Sequence, residues 1–212
     1  MARTETKWGY TFDELGASAK ERARQWWREG MEFDHDFTTD WLSEVCGALS
    51  IEIDAKKVYW RVFCSQGGGS SYSARVNALK LLRAFESSAL ASVAPALELP
   101  APPTLNHCVR FMLENASATV TANCGQSRGC GGEFNLHTEH DIDCYNLDGR
   151  RHARIAAQLT ALGEWAESVL NAINDWFYRA LESEYESQNS DEVVDETIEI
   201  NGYEFDIDGG AA

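Results

Sequence analysis

The sequence predicts an α+β protein, an antiparallel sheet packed against several helices, and three observations carry that prediction. A helical stripe of apolar residues runs from Ile155 to Tyr185, period-two alternation marks short segments between Ile51 and Asp143, and further helical periods flank these on both sides.

Thr11 and Glu14 have the spacing of a capping box, in which a hydroxyl and a carboxylate satisfy two backbone donors that a helix start leaves over. Phe12, Leu15, Ala19, Ala23 and Trp26 follow at helical spacing and Gly30 supplies a stop, so a helix is expected from Thr11 to Glu29. A second helix is expected from Phe37 to Leu49, with Thr39 as the cap before Trp41, Leu42, Val45 and Leu49. Ile51, Ile53, Val58, Trp60, Val62 and Cys64 then alternate, and Asp54 to Lys57 between the two runs reads as the turn of a β-hairpin. Gly67, Gly68 and Gly69 form a loop or bulge, after which Tyr72 to Val76 resumes strand pairing. Leu79, Leu82, Phe85, Leu90 and Val93 predict a third helix from Asn77 to Val93, ending before Pro95.

Residues 94–104 hold all four prolines and read as a semi-rigid connector. Beyond it, alternation of Val109, Phe111 and Leu113, of Ala118, Val120 and Ala122, and of Phe134, Leu136 and Ile142 predicts two or three more antiparallel strands, with Cys124 to Gly132 a glycine-rich loop. The stripe Ile155, Leu159, Leu162, Ala166, Val169, Ile173, Trp176 or Phe177, Ala180 and Tyr185 makes one long helix, the core helix on the sheet. Ser190 caps a short helix to about Ile200, Asn201-Gly202 closes it, and Tyr203, Phe205 and Ile207 alternate as an extended tail. Residues 1–212 are read as a single domain, with 188–212 as an acidic helix and tail.

Composition bounds the function. The 212 residues include 18 Lys plus Arg against 34 Asp plus Glu, a formal charge of −16, while 44% hydrophobic content and seven Trp suffice for a real core. A surface so negative repels a phosphate backbone, so direct nucleic-acid binding is not expected. No apolar run approaches the roughly 20 residues of a membrane span, and MARTETKWGY lacks a signal-peptide core, so a cytoplasmic protein without a membrane partner is expected. The six cysteines, Cys46, Cys64, Cys108, Cys124, Cys130 and Cys144, then read as thiols.

Cys124, Cys130, His137, His140 and Cys144 are all of zinc-ligand type, but Cys124-x5-Cys130 is wider than a zinc knuckle, and His137 and His140 on one strand point to opposite faces. They are weak metal candidates. Cys64 before Ser65-Gln66-Gly67 and the His107-Cys108 pair are equally weak as nucleophile sites, and the glycine run lacks the Lys-Ser/Thr of a phosphate loop. The sequence therefore predicts a protein that is not an enzyme, with no catalytic residue and no cofactor; a small zinc- or thiol-dependent enzyme is the alternative from a different class.

Trp26, Trp41, Trp165 and Trp176 fall on apolar helical positions and read as core, whereas Trp8 and Trp27 have polar neighbours and read as exposed, able to anchor a partner. Charge is the more informative feature. Residues 180–212 hold eleven acids and no Lys or Arg. On a helix, Asp191, Asp195 and Glu199 recur at i, i+4, a file of carboxylates about 6 Å apart that resembles in pitch the phosphates of a nucleic-acid strand. Together with Glu192, Glu196 and Trp27 they are the candidate partner-binding residues; the competing reading is a solvated face that serves solubility.

Several segments resemble a broad family of uncharacterised phage and prophage proteins. They are Phe12-Asp13-Glu14-Leu15 with Ala19-Lys20-Glu21-Arg22-Ala23, then Ser65-Gln66-Gly67-Gly68-Gly69, and at the end Leu181-Glu182, Glu184-Tyr185, Asn201-Gly202-Tyr203 and Phe205. The family layout runs F-x-E-L, A-K-x-x-A, S-Q-G-D-G and E-Y…N-x-Y-x-F; Gly68 stands here where the family usually has Asp, so any polar role of that Asp is absent. The resemblance implies a phage setting, and some relatives are labelled antitoxins. By analogy of charge with anti-CRISPR and anti-restriction proteins, it implies an accessory protein that binds and inhibits a basic nucleic-acid-binding host defence factor, a protein or nucleoprotein complex, by charge mimicry. An antitoxin that neutralises a cognate toxin is the alternative.

Overall fold

The computed structural model describes residues 9–61, 69–87, 93–126, 134–142 and 149–211. In chain order these carry β1 (Tyr10–Thr11), a 3-10 turn (Phe12–Glu14), α1 (Ala17–Gly30), α2 (Asp36–Ala48), β2 (Ile51–Arg61), β3 (Gly69–Asn77), α3 (Ala78–Glu86), α4 (His107–Glu114), β4 (Ala118–Gln126), β5 (Phe134–Ile142), α5 (Gly149–Gln188), α6 (Asp191–Asn201) and β6 (Glu204–Phe205). The fold is α+β. Where the sequence reads as one domain, contacts divide the chain into two compact units, one from Asp36–Ala180 and one from Met1–His35 with Leu181–Ala212.

In the larger unit the strands lie in the order β2-β3-β4-β5, every neighbour antiparallel. Alternation sorts the faces: Tyr72, Ala74, Val76, Val120 and Ala122 are buried, while Glu52, Arg75 and His137 on the opposite face are exposed. The buried face meets α5, whose Leu159, Leu162, Ala166, Val169, Leu170, Ile173 and Phe177 recur at helical spacing and are solvent-inaccessible. Its 40 residues extend about 60 Å at 1.5 Å each. Polar groups pin the two layers together. The Tyr72 hydroxyl donates to the Leu170 carbonyl at 2.9 Å, and the Ser70 hydroxyl donates to the Asn174 carbonyl at 3.2 Å. Trp41 meets Trp176 edge to face at 4.6 Å and donates its indole N–H to the Val93 carbonyl, which satisfies the polar end of a largely apolar side chain.

Several local expectations are corrected. Asp54 to Lys57 is a bulge and not a hairpin turn, because β2 runs unbroken to Arg61 and its register against β3 shifts between Asp54 and Val58. The turn chemistry is there: the Lys56 amide donates to Asp54 Oδ1 at 3.2 Å and Lys57 Nζ lies 3.1 Å from Oδ2. It kinks the strand without reversing it. Val109, Phe111 and Leu113 lie on α4, not on a strand; Asn106 Oδ1 accepts from the Val109 amide at 2.8 Å, a helix cap, and the buried set becomes Val109, Met112 and Leu113 with Phe111 57% exposed. The third helix, expected from Asn77 to Val93, is α3 over Ala78–Glu86: Asn77 is its cap, accepting from Leu79 and Lys80, and the Ser87 amide closes it on the Arg83 and Ala84 carbonyls. Thr39 lies within α2, which begins at Asp36. The proline-rich stretch is anchored, since Trp165 donates to the Pro100 carbonyl at 2.8 Å and Leu97 is buried.

In the smaller unit β1 pairs with β6, Tyr10 opposite Phe205. The expected first helix is broken: the Thr11 amide donates to Glu14 Oε2 at 2.9 Å, but this box closes only the 3-10 turn, Leu15 turns extended, and α1 starts afresh after Gly16. Phe12, Leu15, Ala19, Ala23, Val194, Ile198 and Phe205 form the unit's core. The last segment is only briefly extended, for Ile207 is 70% exposed and Gly209 takes a left-handed φ of 89° against the Ala19 carbonyl, a position a Cβ could not share.

Candidate functional site

α6 carries the acidic row, and its ends are set locally. The Ser190 hydroxyl accepts from the Val193 amide at 3.4 Å, and Gly202, at φ 65°, closes the C-terminus with its amide on the Glu199 and Ile198 carbonyls. Val194 and Ile198, four apart, are fully buried against α1 and thereby fix which carboxylates turn inward.

Asp191 and Asp195 turn toward α1. Arg24 binds Asp195 through Nε at 2.6 Å and Nη2 at 2.7 Å, and its Nη1 lies 3.4 Å from Asp191. Arg28 reaches Asp191 at 2.5 Å and donates through Nε to the Asn189 carbonyl. Glu21 stands beside both arginines, 3.2 Å from Arg24 and 3.6 Å from Arg28. The hydrogen bond to Asp195 raises the Arg24 pKa, and the hydrogen bond from Arg28 holds the Asp191 carboxyl below the usual carboxylate range. At the tail, Asp206 Oδ1 accepts from the Gly210 and Asp208 amides and its carboxyl is also lowered, chiefly by the Gly210 bond.

The other arc of α6 faces out. Glu192, Glu196 and Glu199 are exposed, and Val193, 38% exposed, and Ile200, 76% exposed, continue the same arc. The five predicted carboxylates therefore fall into two groups, two engaged by α1 and three presented outward with two aliphatic side chains. Those aliphatic positions were legible in the sequence as apolar residues, but only burial of Val194 and Ile198 leaves them on the open arc.

The two tryptophans exchange the roles the sequence assigns. Trp27 is half-buried on the core cluster, its ring 5.7 Å from that of Tyr203. Trp26 covers Tyr203 at 5.3 Å and Phe205 at 5.7 Å yet stays 38% exposed. Both lie one turn beyond Ala23, so the helical period alone does not choose between them. Trp8 lies outside the described residues.

Of the metal candidates, Cys130 and Cys144 lie outside the described residues, as do Cys64, Gly67 and Gly68 of the other motifs. Cys124 is on the core face opposite Leu136, while His137 stands opposite Asn123 on the other face, paired with Glu139 at 3.5 Å. Burial pushes the Cys124 thiol up to about 12 and its Sγ donates to the Tyr72 carbonyl, the reverse of what a thiolate ligand needs. Cys108 is exposed at the start of α4, adjacent to His107 on a helix. Among the described residues no group of three His, Cys, Asp or Glu side chains could hold a metal, and no helix is long and apolar enough to cross a membrane.

A mixed fold, with an open acidic helix arc beside a closed arginine-aspartate cluster, defines the class of this protein by its structure. The chain belongs to the family described as a domain of unknown function, DUF8835, whose model matches residues 35–191. No curated protein and no solved structure matches the chain. The matched residues take in the four-stranded sheet and α5 and stop at Asp191, so Glu192, Glu196, Glu199 and Ile200 lie beyond them.

Proposed function

We propose that the protein is a non-enzymatic, phage-encoded binding protein that acts in the bacterial cytoplasm, docking the open arc of α6 on a basic, nucleic-acid-handling host factor of the anti-CRISPR or anti-restriction target type. The observation that carries this reading is the segregation on α6. Asp191 and Asp195 are consumed by Arg24 and Arg28, whereas Glu192, Glu196 and Glu199 point away from the core next to exposed Val193 and Ile200. Val193 and Ile200 set two exposed aliphatic side chains beside the three glutamates, which gives the arc an apolar component as well as charge. Carboxylates at i, i+4 and i+7 repeat at about 6 Å and can occupy Lys and Arg that otherwise neutralise phosphates, while the aliphatic pair excludes water from the contact.

The test is capture from host lysate by wild-type protein and by the Glu192→Lys, Glu196→Lys, Glu199→Lys variant, followed by nucleic-acid binding of the purified partner with each. Wild type should capture a nucleic-acid-binding factor and compete with its substrate, more weakly as salt shortens the Debye length to about 8 Å at physiological strength. The variant should lose both effects with unchanged melting, since exposed single charges contribute about 0 to 1 kcal/mol each. Capture indifferent to reversal and salt, or a partner that handles no nucleic acid, overturns the reading.

A further inference from the structure

The two edges of the four-stranded sheet differ in how they are finished. β2 is bulged at Asp54 to Val58 and carries Lys56, Lys57 and Arg61, devices that keep an edge from pairing with another chain. β5 lacks the bulge and the cationic residues, its acidic side chains being Glu139 and Asp141. Its nine residues, Phe134–Ile142, pair with β4 in continuous register from Ala118–Ile142 to Gln126–Phe134 and contain no Pro, Gly, Lys or Arg. Among the described residues no strand hydrogen-bonds to its other side.

The composition of that edge is self-complementary. Two antiparallel copies of one strand offer the same alternate backbone groups, so opposed residues must have the same parity. Centring the pair on Thr138 engages all nine residues, and it places His137 of each copy opposite Glu139 of the other and Asn135 opposite Asp141. Shifting the centre to Glu139 opposes two glutamates and shortens the overlap, and centring on His140 opposes Glu139 to Asp141. One register thus maximises the ladder and avoids like charges. His137 and Glu139 are free to rearrange, with side chains 71% and 67% exposed.

We propose that β5 is a homodimer interface, two copies joining edge to edge about a two-fold axis at Thr138 into one continuous eight-stranded sheet. The occupant is a second copy because the side-chain pattern answers itself, a His137 ring N–H donor facing a Glu139 carboxylate acceptor across the axis, and a closed two-fold contact covers both open edges at once. This surface is independent of the α6 arc.

The 212-residue chain, kept reduced so that exposed Cys108 cannot cross-link, is examined by sedimentation over a range of concentrations. A species of twice the chain mass is expected, and hydrogen exchange at alternate β5 amides should slow as concentration rises. His137→Glu places carboxylates opposite each other twice per dimer and should weaken association about tenfold, with unaltered circular dichroism. The exchange His137→Glu with Glu139→Lys places opposite charges in the same register and should restore the dimer. A monomer at every concentration, a dimer indifferent to His137→Glu, or one that the exchange fails to restore overturns the proposal.

Discussion

Arg24 of α1 holds both carboxylate oxygens of Asp195 on α6, across 171 residues of sequence, with Nε at 2.6 Å and Nη2 at 2.7 Å. The guanidinium fork and the carboxylate are matched in geometry, and both side chains are less than a third exposed, 19% and 28%. This pair joins the two ends of the chain within the smaller unit.

Removing either partner should destabilise that unit. Arg24→Ala or Asp195→Ala is expected to cost about 1.5 to 3 kcal/mol, the range for hydrogen bonds to charged groups, and Arg24→Lys should also lose stability because a point charge cannot bind both oxygens. Urea unfolding followed by tryptophan fluorescence measures it, since Trp26 and Trp27 report on this core. Midpoints within error of wild type for all three variants would show that the pair carries no weight.

Acid should loosen the same unit. Asp191 has a folded pKa below its unfolded value of about 3.9, so the folded state resists protonation more than the unfolded chain does. Its contribution is therefore complete above about pH 4 and is lost as pH falls through the folded value; Asp206 acts with the same sign through its backbone bonds. Asp191→Asn should flatten the loss of stability below pH 4 while leaving its slope at neutral pH unaltered. An acid profile identical to wild type would contradict this assignment.

Gly163, mid-helix in α5, should resist a substitution that helix propensity favours. Gly to Ala in a helix interior ordinarily gains about 1 kcal/mol, but a Cβ here collides with the Thr138 methyl, and Thr138 cannot swing away while its hydroxyl bonds Glu167. Gly163→Ala should destabilise by about 1 to 3 kcal/mol, and Thr138→Ser, which deletes the methyl, should recover most of it. Thermal melts of the single and double variants decide the matter; a stabilised Gly163→Ala would mean that the strand yields.

Most of the elements were legible where one period ran long enough to exclude the other. α5 could be read from its stripe because nine apolar positions at helical spacing fit no strand, and α6 because Ser190 and Gly202 mark its ends. α4 was not, because over five residues Val109, Phe111 and Leu113 satisfy a period of two as well as Val109, Met112 and Leu113 satisfy a helix; the cap at Asn106 was the signal that resolves them. Asp54 to Lys57 has turn composition in either case, and whether a turn reverses a strand or bulges it depends on the partner strand, which is distant in sequence.

The sequence by itself determined the α+β class, the acidic C-terminal helix and the positions of its carboxylates, because these follow from composition and from side-chain periods along a single element. Only the tertiary structure decided which carboxylates are spent and which are offered. Asp191, Asp195 and Glu199 are equivalent along α6, but Val194 and Ile198 bury one side of that helix against α1, where Arg24 and Arg28 meet the two aspartates, while among the described residues no arginine pairs with the glutamate. A charge is engaged or left open through what lies across from it, and that neighbour is set by packing between segments far apart in the chain.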